Sequence, residues 1–136
     1  MLKSHPIIAF VATTDPARAK RFYSKTLGLP LVTEDSFALV FDAGGTMLRV
    51  ARVSKLQPAG YTVLGWTVSN IHVMVKRLTR RGVEFESYPG MEQDELGIWT
   101  SPSGAQIAWF TDPDGNTLSL TEFPKPKKRR KSTRRG

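Results

Sequence analysis

The chain of 136 residues carries twenty lysines and arginines against twelve acids, two histidines and no cysteine. That length suits one domain with a real core, and the missing cysteines exclude disulfides, thiolate catalysis and cysteine-ligated zinc. The net charge of +8 belongs to one segment: eight bases lie from Lys125 to Arg135 and no acid follows Glu122, so the remaining twelve bases balance the twelve acids.

The first residues, Met1 to Pro6, lack the apolar stretch and cleavage site of a signal peptide. No apolar run approaches the roughly 18 residues of a membrane span, because Asp15, Asp42, Arg49 and Asn70 interrupt the candidates. A cytoplasmic protein is the expectation. Ile7 to Thr13 reads as a strand. Asp15-Pro16 opens a helix, with an N-cap carboxylate followed by proline at the first helical position. Gly28 stops that helix. Leu29 to Val32, Phe37 to Phe41 and Met47 to Val53 read as strands, the last two joined at Gly44-Gly45. Ser54 to Gly60 reads as a linker. Tyr61 to Val68 alternates as a strand, Asn70 caps a second helix, and Gly82 ends it. Val83 to Tyr88, Ile98 to Ser101, Gln106 to Thr111 and Thr117 to Phe123 are read as strands around a mobile acidic loop, Gly90 to Leu96.

The second half is read as repeating the β-α-β-β-β order of the first. Asp15 to Gly28 spans 13 residues and Asn70 to Gly82 spans 12. Leu48 and Leu118 hold the same place after their glycine turns. A fold made of two copies places its ligand between them, so the repeat locates a candidate site.

Three stretches carry a family resemblance: Asp15-Pro16-Ala17-Arg18-Ala19-Lys20-Arg21-Phe22-Tyr23, then Leu27-Gly28-Leu29, then Trp109-Phe110-Thr111-Asp112-Pro113-Asp114-Gly115-Asn116. Together they resemble the vicinal oxygen chelate superfamily of glyoxalase I, extradiol dioxygenases and bleomycin-resistance-type binding proteins, from about Pro6 to Phe123. The resemblance implies an α+β fold of two βαβββ modules, about 6–54 and 61–123. Each is a curled mixed sheet with a helix on its outer face, and the two enclose a shared cavity. Alternation then puts Val11, Leu64, Trp66 and Val68 toward the helices, and Ile8, Phe10, Val63, Gly65 and Thr67 toward the cavity.

The resemblance also implies four metal-ligand points, at the start of each module's first strand and the middle of its last. Counting from the caps and turns places Ile8, Val63, Arg49 and Ser119 there. Two aliphatics, a cation and a hydroxyl do not make a site for a divalent ion, which needs imidazole or carboxylate donors. His5 lies three residues before Ile8 on the other strand face, and His72 lies in the first turn of the second helix. No metal and no other cofactor is expected, and no catalytic residue is assigned.

Other positions support binding. Of the aromatics near strand ends, Phe10, Trp99 and Trp109 are placed to line a pocket for a flat organic ligand, and the rest read as core. Arg49, a cation facing a partly apolar cavity, calls for an acid from the protein or from the ligand. Thr67 and Ser119 complete the candidate ligand-binding set. Glu92-Gln93-Asp94-Glu95 is read as solvated loop, with a lid that supplies an acid or base as its functional alternative.

The expected function is metal-free binding of a small aromatic or anionic molecule, by sequestration or sensing as in bleomycin-resistance-type relatives, within a homodimer. Two alternatives stand beside it: a glyoxalase- or dioxygenase-type enzyme with non-standard residues, and nucleic-acid association through the tail, residues 124–136. That tail has no apolar residue for a core and is expected to be disordered, with weak, salt-sensitive and non-specific affinity for phosphates. Deleting residues 124–136 is expected to leave the midpoint of thermal unfolding essentially unchanged, because a domain's stability of about 5–15 kcal/mol rests on its core. A large fall in calorimetry would place part of the tail in the packing.

Overall fold

The computed structural model of the protein describes residues 1–126. Most of the basic tail, and with it the expectation of disorder there, lies outside the described residues.

Asp15 opens α1 (Pro16–Arg21) as anticipated, its carboxylate accepting the amide of Arg18 at 3.1 Å. The helix does not run on regularly to Gly28. From Phe22 to Thr26 it widens into a π-helical turn, with the Leu27 amide donating back to the Phe22 carbonyl at 2.9 Å. Asn70 caps α2 (Ile71–Arg80) by accepting the Val73 amide at 3.2 Å. Ile71, Val75 and Leu78, spaced at helical period, are its buried stripe.

Eight strands accompany the helices: β1 (Ile8–Thr13), β2 (Leu31–Glu34), β3 (Ala38–Ala43), β4 (Thr46–Arg52), β5 (Thr62–Thr67), β6 (Trp99–Thr100), β7 (Gln106–Thr111) and β8 (Thr117–Glu122). They form two sheets of the same design, ordered β1-β4-β3-β2 and β5-β8-β7-β6. In each sheet the first strand runs parallel to the last, because a helix crosses between them, while the hairpins pair antiparallel. The sheets adjoin along β1 and β5. Among the described residues no helix is long and apolar enough to cross a membrane.

One predicted strand is absent. Val83 to Tyr88 keeps a single bridge, Phe85 to Phe110, and one amide bond from Glu86 to the Trp109 carbonyl at 2.8 Å. A side chain takes the place of a neighbouring strand: Gln93 accepts the Tyr88 amide at 2.7 Å and donates to the carbonyls of Glu86 and Gly97, both at 2.8 Å. Without that strand the second module has the βαβββ order expected of it. The same bonds tie down the acidic loop that was read as mobile. Asp94 adds to them, accepting the amides of Leu96 and Ile98 at 2.9 Å.

Each sheet has a helix face and an open face. Val11, Phe41, Leu48 and Val50 meet Ala19 and Tyr23, while Phe110, Leu118 and Leu120 meet Ile71, Val75 and Leu78, all in one continuous core. Leu64, Trp66 and Val68 pack against it as alternation required. On the other face Ile8 is 48% exposed and Phe10 60%.

A polar clasp joins the modules. Asp112, almost wholly buried in the β7–β8 turn, accepts the Tyr23 hydroxyl at 2.7 Å and the Asn116 side-chain amide at 2.9 Å. It also accepts the backbone amides of Asp114 and Asn116, each at 2.9 Å. Asn116 donates in turn to the Ala12 carbonyl at 2.9 Å. Asp114 accepts the Thr13 hydroxyl at 2.5 Å, and the amide and hydroxyl of Thr14 at 2.9 Å each. Burial first, and then the Asp112 carboxylate, push the Tyr23 phenol far above its ordinary pKa, so it remains a donor. Partial burial works to raise the Asp114 pKa, but the hydrogen bonds from Thr13 and Thr14, with Arg18 nearby, outweigh it and hold the carboxyl below its ordinary value.

Tyr23→Phe is expected to lower stability by about 1.5–3 kcal/mol, the range for a hydrogen bond to a charged group, read from urea unfolding. Because the folded Asp114 pKa lies below the unfolded one, its contribution is complete above the unfolded value of about 3.9 and is lost as pH falls through the folded value. Asp114→Asn is expected to flatten that acid limb of the stability curve. An unchanged limb would show that the clasp does not carry it.

Candidate functional site

The open faces are built as two matching cross-strand rows. In module one, Phe10 of β1 pairs with Arg49 of β4, which pairs with Val40 of β3. In module two, Gly65 of β5 pairs with Ser119 of β8, which pairs with Trp109 of β7. The rows end on β1 and β5, the strands along which the sheets adjoin.

Module one presents an apolar surface interrupted by one cation. Ile8, Phe10 and Met47 surround Arg49 in the ladder, and a groove of about 330 Å3 runs along Val32, Val40, Asp42 and Met47. Among the described residues Arg49 forms no ion pair. An acid does lie within its field: Asp35, whose carboxyl is held low chiefly by the Phe37 and Ala38 amides, also feels Arg49 and Arg52.

Module two presents aromatic rings. Trp109 lies 6.1 Å from Trp99 between ring centroids and 5.5 Å from Tyr88, edge-on to the latter. All three rings are half-buried. Burial, then Glu86, raise the Tyr88 phenol. Behind this cluster Ser119 is nearly buried, and Gly65 opposite it has a physical reason to be glycine. A Cβ there would stand 2.6 Å from the Ser119 hydroxyl oxygen.

The candidate residues therefore fall into two groups. Phe10 and Arg49 stand together on sheet one; Trp99, Trp109 and Ser119 stand together on sheet two. Thr67, at the end of β5, borders a different groove, with Trp66 and Val68. Tyr88 completes the aromatic group and was not selected from sequence, because the irregular segment around it has no strand period to orient the ring. Tyr61 is 70% exposed, and Trp66 and Phe110 belong to the core side. Glu92 and Glu95 are exposed, Gln93 is spent on the loop's own backbone, and Asp94, which accepts loop amides, borders with Glu95 a separate groove along Val83 and Phe85. His5 is exposed, and the His72 imidazole lies 3.8 Å from the Asp94 carboxylate.

The ladders put Ile8 at the start of β1, Val63 near the start of β5, and Arg49 and Ser119 in mid-strand. That donor set does not fit a divalent ion: two members have no lone pair to give and one is positive. Among the described residues no three histidine, aspartate or glutamate side chains converge elsewhere.

The sequence profile of the glyoxalase/bleomycin resistance protein/dioxygenase superfamily matches residues 5–120. The chain belongs to that superfamily. No functionally curated protein matches it in sequence. Solved structures share the fold. A superfamily member from Sphaerobacter thermophilus is 26% identical, with a TM-score of 0.71 over 90% of this chain and 99% of that one. A glyoxalase family protein from Enterococcus faecalis is 21% identical, with a TM-score of 0.70 over 90% and 100%. A lactoylglutathione lyase from Agrobacterium tumefaciens is 16% identical, with a TM-score of 0.68 over 88% and 93%.

The packing of Gly65 under Ser119 is directly testable. Gly65→Ala is expected to cost about 1–3 kcal/mol, as overpacking does, and Ser119→Gly in the same chain should recover most of it. Denaturant melts of the two single variants and the double variant form the cycle; simple additivity would show that the two positions do not meet.

Proposed function

We propose that this superfamily member binds a small, flat organic acid on its open faces without a metal ion. One observation carries the reading: the positions where metal-dependent relatives are expected to hold ligands carry Ile8, Arg49, Val63 and Ser119. In that arrangement Arg49 is a forked donor for a carboxylate or phosphate. Tyr88, Trp99 and Trp109 supply ring surface, and Ser119 one hydroxyl. Such a set recognises and retains a molecule; it contains no poised nucleophile or general base, which favours sequestration or sensing over turnover.

The reading includes a homodimer. Ile8, Phe10, Met47 and Val63, between 38% and 60% exposed on the open faces, form an apolar surface that a second copy would cover, at once excluding water and closing the site. Sedimentation at micromolar concentration is expected to show a dimer.

Tryptophan quenching with paired aromatic carboxylates and their neutral amides tests the site. Wild-type protein is expected to favour the acids. Arg49→Met, which keeps the apolar stem, should weaken them by about 1.5–3 kcal/mol and leave the amides nearly unchanged. Equal loss for both, or no loss, sinks the role of Arg49. Stoichiometric zinc, iron, manganese or nickel in untagged protein would sink the metal-free reading.

A further inference from the structure

The two modules correspond residue by residue, and the correspondence breaks at one place. The caps Asp15 and Asn70 set an offset of 55 residues between the first strands and helices. The parallel ladders agree: Val11 pairs with Val50 as Trp66 pairs with Leu120, and Phe10 pairs with Arg49 as Gly65 pairs with Ser119. On that offset Ala12, Thr13 and Tyr23, which receive the β7–β8 turn, correspond to Thr67, Val68 and Leu78. Val11 and Ala19, behind them, correspond to Trp66 and Met74. Those five residues of module two line a single groove of about 160 Å3, which Leu27 and Leu29 of module one help to wall.

The hairpin of module one does not fill it. Between Phe41 and Leu48 this hairpin has one residue fewer than the other has between Phe110 and Leu118. It reads Ala43-Gly44-Gly45-Thr46, with no carboxylate or amide to project. Asp42 before it folds back on its own turn, accepting the Gly45 amide at 2.8 Å. The receiving side differs in step: valine stands where the Thr13 hydroxyl would be, and leucine where the Tyr23 phenol would be. The remaining space is walled mainly by apolar groups, with Thr67 supplying a hydroxyl, and none of its lining residues is titratable.

We propose that this groove is a second binding site, for a small uncharged apolar molecule about the size of one aromatic ring. A dry apolar cavity of comparable volume holds benzene. Met74 supplies an adaptable thioether that packs well on rings, and Trp66 supplies a face. A carboxylate or phosphate would shed its water here with no cation in the lining to receive it. The groove lies on the helix face, apart from the open-face site, and does not depend on the reading given for that site.

The four methionines make the proposal testable in the full chain: Met74 lines the groove, Met47 lies on the open face, Met91 in the acidic loop and Met1 at the terminus. In methyl-labelled methionine NMR, titration with toluene is expected to move the Met74 signal saturably and leave Met47 in place. Benzoate should need roughly tenfold more for the same shift, given the cost of burying an unpaired charge. Leu78→Phe fills the groove from the helix and should abolish the response. Leu29→Phe fills it from a loop and serves the same purpose if the first variant does not fold. A shift that never saturates, one shared equally by Met47, or one that persists in a folded, filled variant overturns the proposal. A Met74 shift that follows protein concentration without toluene also overturns it, by assigning the groove to a second copy.

Discussion

Everything positioned on the two sheets depends on a few hydrogen bonds at one turn. Asp112 is a carboxylate taken almost entirely out of water, which is tolerable only because donors from both modules converge on it. Tyr23 reaches it from the first helix, and Asn116 ties the same turn to the end of β1. Asp114 then fixes Thr13 and Thr14, the residues that lead into the helix cap. Elsewhere the modules meet along the edges of β1 and β5 and where the Arg81 guanidinium donates to the Lys25 and Thr26 carbonyls. The turn therefore holds the end of β1 and the start of α1 against module two, while the β1–β4 ladder itself places Phe10 beside Arg49.

Within that frame the open faces have taken on a consistent chemistry. Aliphatic side chains stand where coordination would call for imidazole or carboxylate, a guanidinium stands in mid-strand, and rings gather on the opposite sheet. A pair such as Gly65 and Ser119 shows how closely this is fitted, since the hydroxyl occupies the space a side chain across the ladder would need. A guanidinium among aliphatic neighbours repels cations and attracts anions, so the proposed absence of a metal and the proposed preference for an acid rest on one cause.

Much of this was legible in the residues. Caps at Asp15 and Asn70, stops at Gly28 and Gly82, and the two glycine turns encode local geometry, and local geometry is what a sequence displays most directly. Leu48 and Leu118, both fully buried, confirm that a register counted from turns survives into the ladder. The alternation that turned Val11 inward and Phe10 outward also held. The structure departs from these expectations where side chains take over backbone hydrogen bonds. Val83 to Tyr88 has the composition of a strand, but Gln93 takes its hydrogen bonds. The acidic loop has the composition of a mobile segment, but its own side chains bind its backbone. The widening of the first helix after Arg21 leaves no mark in residue type. Thr67 belongs to the candidate set and Tyr88 does not, yet Tyr88 stands with Trp109 and Thr67 borders the groove beside Trp66 and Val68, because neither position is fixed by strand period alone.

The clasp also bears on how the chain reaches its fold. Thr13 and Asp114 are 101 residues apart in sequence, whereas the hairpins and helix caps close over a handful. Loop-closure entropy rises with separation, and long-range contacts are rewarded only after it has been met. Each module can assemble its ladder from nearer contacts, so the turn is expected to dock onto β1 late in folding. Interactions formed late are absent from the folding barrier and present at the start of unfolding, so they govern how long the native state lasts rather than how fast it forms. On that expectation the lifetime of the joined modules, and of any site that needs both, rests in large part on one short turn.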